Sequence, residues 1–144
     1  MAVENLLRLA ALAERPDLEK AAARVLERHG GALRDSSRAL PQMMSVLGRA
    51  LEKPRQVVIS GALEDPATRE MLRLVRSRLR PALTLVVLEP GPRRERLVKR
   101  NPLLRGMGPL KGRPTAYVCV NFTCELPTPD LATVRKLLDG GEAR

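Results

Sequence analysis

Aromatic residues are nearly missing from this 144-residue chain. Tyr117 and Phe122 are the only ones, tryptophan is absent, and His29 is the sole histidine. Stacking platforms of the kind that hold single-stranded nucleic acid are thereby almost excluded. With one histidine, neither a Ser/His/Asp nor a Cys/His set can be assembled convincingly. Carboxylates are plentiful, but they fall on different predicted elements and nothing selects a pair, so no hydrolase chemistry is indicated. The two cysteines, Cys119 and Cys124, lie far in sequence from His29 and cannot complete a four-ligand zinc site alone. No metal or cofactor is expected. Long apolar runs are missing too: none approaches the ~18 residues of a membrane-spanning helix. The N-terminus has no basic stretch leading into an unbroken apolar one, so no secretory signal is visible and a cytoplasmic location is the default expectation.

What is present suits a globular chain. Apolar residues make up 44% and charged residues 29%, enough for a core in one average domain or two small ones. Acidic residues are the minority, 16 against 26 basic, which leaves a net charge of +10. The excess is concentrated in residues 89–114, with eight basic and two acidic groups in a stretch broken by proline and glycine. Such a surface attracts phosphates without requiring a particular fold, and its plain reading is a solvated basic surface.

Periodicity divides the chain near residue 54. Residues 3–13 read as a helix with a wide apolar face (Leu6, Leu7, Leu9, Ala10, Ala13), and nothing before Val3 caps it. Arg15-Pro16-Asp17 interrupts the pattern. A second helix over 17–29 carries Leu18, Ala21, Ala22, Val25 and Leu26, and Gly30-Gly31 is expected to end it as a left-handed C-cap. These two make an antiparallel hairpin. After an irregular stretch with a brief resumption of helix, Pro41 opens a further helix that stops before Pro54. Its Met43 and Met44 read as core filler rather than a soft binding groove.

From residue 55 the period changes. Strands over 56–60 and 83–88 flank a helix over 66–79 that Asp65 caps and Pro66 opens, a βαβ unit whose strands should be parallel. Residues 89–114 read mostly as loop, with one helical turn at Asn101-Pro102-Leu103-Leu104. A third strand follows over 115–120, then a turn bracketed by Pro127 and Pro129, then a helix over 130–138 that Gly140-Gly141 ends. The expected fold is α+β: a helical hairpin plus one helix in 1–54, then a small three-stranded, mainly parallel sheet with helices in 55–144. Strand order 3-1-2 is preferred over 1-2-3.

Three constellations carry chemistry. Ser60-Gly61 followed by the helix at Pro66 could cradle a phosphate, but it lacks both glycine-rich fingerprints, and Glu64 and Asp65 would repel an anion. Arg69, Arg73, Arg76 and Arg80 share one helix face, and Arg94 and Arg100 add to the basic surface; together they are the candidate anion-binding residues. The plainer reading of the stripe is a solvated face opposite Leu72, Val75 and Leu79. Cys119 and Cys124 are spaced C-x4-C, unlike the C-x-x-C of a redox helix start. Two reduced, partly buried structural thiols are expected in a cytosolic protein. If the chain turns after Asn121, however, the sulfurs could approach bonding distance.

The segment Gly112-Arg113-Pro114-Thr115-Ala116-Tyr117-Val118-Cys119, with Asn121, Cys124 and Pro127, resembles the C-terminal signature of the spermatogenesis-associated protein 20 family, whose bacterial members are described as thioredoxin-domain-containing proteins. Matches run upstream in order: Asn5-Leu6-Leu7-Arg8-Leu9, Ala39-Leu40-Pro41 with Met43, Gln56-Val57-Val58-Ile59-Ser60-Gly61 with Asp65-Pro66, and Asn101-Pro102-Leu103-Leu104. The sequence departs from the family at Pro127-Thr128-Pro129-Asp130, where the turn is shorter. The resemblance implies an N-terminal thioredoxin-like domain and a six-hairpin glycosidase-type α/α toroid in full-length members, both largely absent here. Residues 1–54 would correspond to the last toroid helices. Redox and carbohydrate-related roles rest on those absent domains.

The function expected on this basis is a non-catalytic C-terminal structural or docking module, partnered by the remainder of such a protein or by itself. Its toroid-facing apolar surface would lie on helices 3–13 and 17–29. Two rivals are a basic nucleic-acid or polyanion binder, which is not favoured, and a thiol-redox accessory using Cys119 and Cys124 with Tyr117, Asn121 and Pro127 around them. No membrane partner is expected.

Overall fold

The structure is a computed structural model, and it describes residues 2–78, 82–121 and 123–140. The chain divides into two compact units, Met1–Pro54 and Arg55–Arg144.

The first unit is helical. Helix α1 (Ala2–Ala13) and helix α2 (Pro16–Arg28) form the hairpin, joined through Glu14, whose φ of 50° reverses the chain, and Arg15, which grips Asp17 through two hydrogen bonds of 2.7 and 2.6 Å. Gly30-Gly31 does not form the expected left-handed cap. Neither glycine has a positive φ, and the chain passes through His29 (φ −99°, ψ 7°) directly into helix α3 (Gly30–Asp35). Burial of Leu33 accounts for the restart: it joins Leu26 and Val46 in the core of the unit, against Val3, Leu7, Leu40, Met43 and Leu47. A 3-10 turn at Ser37–Ala39 leads to helix α4 (Pro41–Leu51), with proline at its first position as read. Met43 packs on this core, while Met44 is 39% exposed.

The second unit is built on strand β1 (Arg55–Ser60), helix α5 (Pro66–Arg76), strand β2 (Leu83–Leu88), helix α6 (Pro92–Arg100), strands β3 (Thr115–Val120) and β4 (Thr123–Cys124), and helix α7 (Leu131–Asp139). The sheet order is β2-β1-β3-β4. The α+β class stands, and β3 neighbours β1 as preferred. The direction and number of strands differ from the expectation: among the described residues only β1 and β2 are parallel, β3 runs antiparallel to β1, and there are four strands instead of three. The connection between β2 and β3 explains the direction. Leu88, at the end of β2, and Thr115, at the start of β3, both pair with Ser60. Residues 89–114 therefore leave and re-enter at one end of the sheet, whereas a parallel β3 would need them to travel back along its length.

Nor are residues 89–114 mostly loop. Pro92 supplies a first helical position, and the good helix formers that follow it make α6; Pro102–Gly106 is a 3-10 turn capped by the Asn101 carboxamide, which accepts from Leu103 N–H at 3.1 Å. Asp65 caps α5 as read, its Oδ1 accepting from Ala67 N–H at 2.8 Å. Leu79, expected at the end of that helix, lies outside the described residues, as does Gly141.

One face of the sheet carries the main core. Val57, Ile59, Ala116 and Val118 pack against Met71, Leu72, Leu74 and Val75 of α5 and Val134 and Leu138 of α7. Each fully buried aliphatic side chain here contributes roughly 1.5–3 kcal/mol. The alternation of strand residues turns Gln56, Val58, Val86, Leu88, Tyr117 and Cys119 to the other face, where all but Gln56 are buried. The loop after the 3-10 turn crosses that face, since the Tyr117 hydroxyl donates to Gly108 O at 2.7 Å.

Candidate functional site

The residues singled out around the cysteines converge at the β3–β4 edge. Asn121 has a φ of 49° where the chain reverses after β3, a backbone conformation that asparagine tolerates better than most residues. Thr123 then pairs with Val120, and Cys124 with Cys119. Glu125 N–H donates to Val118 O at 2.9 Å, so the cysteine pair falls between hydrogen-bonded pairs, at the position where facing side chains come closest. Their Cα atoms are 3.9 Å apart, and the sulfurs are joined in a disulfide. The expectation of two reduced thiols is thus overturned, because the turn after Asn121 does form and brings the sulfurs together.

Beyond Glu125 the register slips. With Cys119 opposite Cys124, regular pairing would set Ala116 opposite Pro127. Instead Ala116 exchanges two hydrogen bonds with Thr128, at 2.9 and 3.0 Å. One extra residue is accommodated as a bulge opposite Tyr117. Proline supplies the reason: Pro127 has no N–H to give to Ala116 O, and Thr128, one position on, does. Tyr117 and Pro127 thus each have a structural assignment, a hydroxyl anchor for the 107–110 loop and a register stop.

The two sulfurs stand in different surroundings. Cys119 is 3% exposed, whereas Cys124 lies on the open edge and is exposed. Gln56 is directly opposite Cys119 across the β1–β3 pairing and shares its face. Its Nε2 is buried and meets no acceptor. In the sequence Gln56 counts only as part of the upstream match to the family, since a lone glutamine at the start of an apolar strand signals no role until the register is known.

The remaining candidates do not converge on this site. Arg69, Arg73 and Arg76 are exposed along α5, opposite buried Met71, Leu72 and Val75, so they occupy a solvent face; Arg80 lies outside the described residues. Arg94 is half-buried and donates to Arg105 O at 3.1 Å, and Arg100 is exposed at the end of α6. At the proposed phosphate cradle the α5 N-terminus is occupied by its own Asp65, and Gly61 is filled against by Thr68 and Pro114. Among the described residues no group of three or more His, Cys, Asp or Glu is placed to hold a metal ion, and no helix is long and apolar enough to cross a membrane.

The fold and edge define a helical unit followed by a small α+β unit with a disulfide-pinned hairpin. That combination matches no family model and no solved structure. The chain is, however, 29% identical to spermatogenesis-associated protein 20 of Homo sapiens over 138 residues, and 28% identical to the Rattus norvegicus and Mus musculus proteins of the same name. In each case 96% of this chain is covered, and it spans 17% of the relative's length. The resemblance read from the sequence holds across both units: this is a protein related to the spermatogenesis-associated protein 20 family.

Proposed function

We propose that this chain is a non-catalytic structural and docking module that works as one part of a larger protein of the spermatogenesis-associated protein 20 type. One observation carries the reading: nearly the whole chain aligns with a small fraction, 17%, of each relative's length. In this reading residues 1–54 stand for the closing helices of an α/α toroid, and residues 55–144 for the small α/β region that follows it.

Exposed apolar side chains give the module a surface for the purpose. Leu9 on α1 is 51% exposed, and on α4, which packs against α1, Leu51 is 79% and Met44 39% exposed. Helix α2, expected to share the apolar surface, shows no large exposed apolar residue. The docking face is accordingly assigned to α1 and α4. Mixing the chain with a human relative that lacks its matching segment tests the proposal. A stable complex in gel filtration, lost on Leu9→Gln/Leu51→Gln, supports it; no complex at any ratio refutes it.

A further inference from the structure

We infer that the Cys119–Cys124 bridge is a thiol–disulfide exchange site, attacked at Cys124 by an external dithiol of the Cys-x-x-Cys class, with Cys119 as the leaving sulfur held by Gln56. This inference does not rest on the docking role.

Exchange requires a thiolate to approach one sulfur along the S–S axis. Cys119 is 3% exposed on β3, between β1 and β4, while Cys124 is exposed on a two-residue edge strand with no further strand beyond it among the described residues. Attack at Cys124 is open and attack at Cys119 is closed. The incoming thiolate bonds to Cys124 Sγ, the Sγ–Sγ bond breaks, and its electron pair leaves on Cys119 as a thiolate. The reductant's second thiol attacks its own sulfur in the mixed disulfide, and Cys124 leaves as a thiolate. The reductant is oxidised to a disulfide, this protein gains two electrons, and the two protons given up by the reductant's thiols neutralise Cys119 and Cys124.

A thiolate buried among apolar groups is a poor leaving group. Gln56 answers that difficulty. It is the register partner of Cys119 on the same face, and its buried amide N–H donor is unmatched in the oxidised protein. Once the bridge opens, Cys119 Sγ carries the acceptor that this donor lacks. Two independent observations, unequal access and an orphaned donor beside the buried sulfur, therefore point to the same direction of exchange.

The test uses the intact chain and needs no variant at first. Oxidised protein is exposed to glutathione, quenched with acid, blocked with N-ethylmaleimide and mapped by peptide mass spectrometry. Glutathione on Cys124 with maleimide on Cys119 is expected in at least about tenfold excess over the converse. An even partition, the converse pattern, or no reaction until denaturant is added overturns the inference. The second arm is Gln56→Met, of similar length and without a donor. It should slow reduction by dithiothreitol by about tenfold and raise the Cys119 thiol pKa, read from alkylation rate against pH, with the melting midpoint of the oxidised form unchanged. Unaltered reduction rate and thiol pKa would remove Gln56 from the proposal.

Discussion

Substituting Gly61 by alanine tests the packing at the sheet end where β1 hands over to α5. A Cβ at this position would overlap Thr68 Oγ1 and come within 3.0 Å of Pro114 Cβ. Neither neighbour can retreat easily. Thr68 is 0% exposed in the first turn of α5, Gly61 N–H is tied to Leu88 O at 3.2 Å, and Pro114 leads straight into β3. Overpacking of this kind costs about 1–3 kcal/mol. Thr68 Oγ1 itself has no hydrogen-bond partner, so its removal relieves both the overlap and a desolvated hydroxyl. Thr68→Ala alone should then be mild, and the double variant should be more stable than the sum of the singles predicts, by at least about 1 kcal/mol. Urea unfolding followed through Tyr117 reports the second unit selectively, because Tyr117 is the only tyrosine and tryptophan is absent. A Gly61→Ala variant as stable as the parent, or single effects that add within about 0.5 kcal/mol, would refute the reasoning.

Other expected outcomes follow from single contacts. Tyr117→Phe leaves Gly108 O without its donor and should destabilise the protein by about 1–2 kcal/mol in urea unfolding followed by far-ultraviolet circular dichroism, since the variant has no tyrosine to report. Ile59→Ala, at a fully buried position, should cost about 2–5 kcal/mol, while Leu51→Gln on the surface of the first unit should leave the melting midpoint nearly unchanged. The Asp130 carboxylate, which accepts from the Thr133 hydroxyl and backbone N–H, is held below the usual carboxylate range. A depressed folded-state pKa contributes stability above the unfolded value that is lost as pH falls through the folded one. Acid unfolding followed between about pH 4 and pH 2 should therefore be less steep in Asp130→Asn than in the parent.

Local chemistry was legible wherever a side chain decides its own backbone. Asp65-Pro66 and Asp130 mark helix starts, Pro41 opens α4, and β-branched runs mark β1 and β3. Direction and register were not, because they depend on partners distant in sequence. The strand-helix-strand pattern did foretell the parallel pair, but nothing local says that residues 89–114 return to the same end of the sheet. Gly30-Gly31 misled for a related reason: glycine permits a left-handed cap without demanding one, and burial of Leu33 favoured more helix. Tyr117, Asn121, Cys124 and Pro127 could be picked out as a motif, yet their assignments required the hairpin. Pro127 makes sense only once Ala116 is seen opposite Thr128. Gln56 became visible only through its register with Cys119.

The docking role is tested most directly by sedimentation velocity of the intact chain and its Leu9→Gln/Leu51→Gln variant over a wide concentration range. A surface made for apolar contact predicts that the parent self-associates with rising concentration and that the variant stays monomeric with its fold intact. A parent that remains a single monomeric species at every concentration would contradict the assignment of α1 and α4 as a docking face.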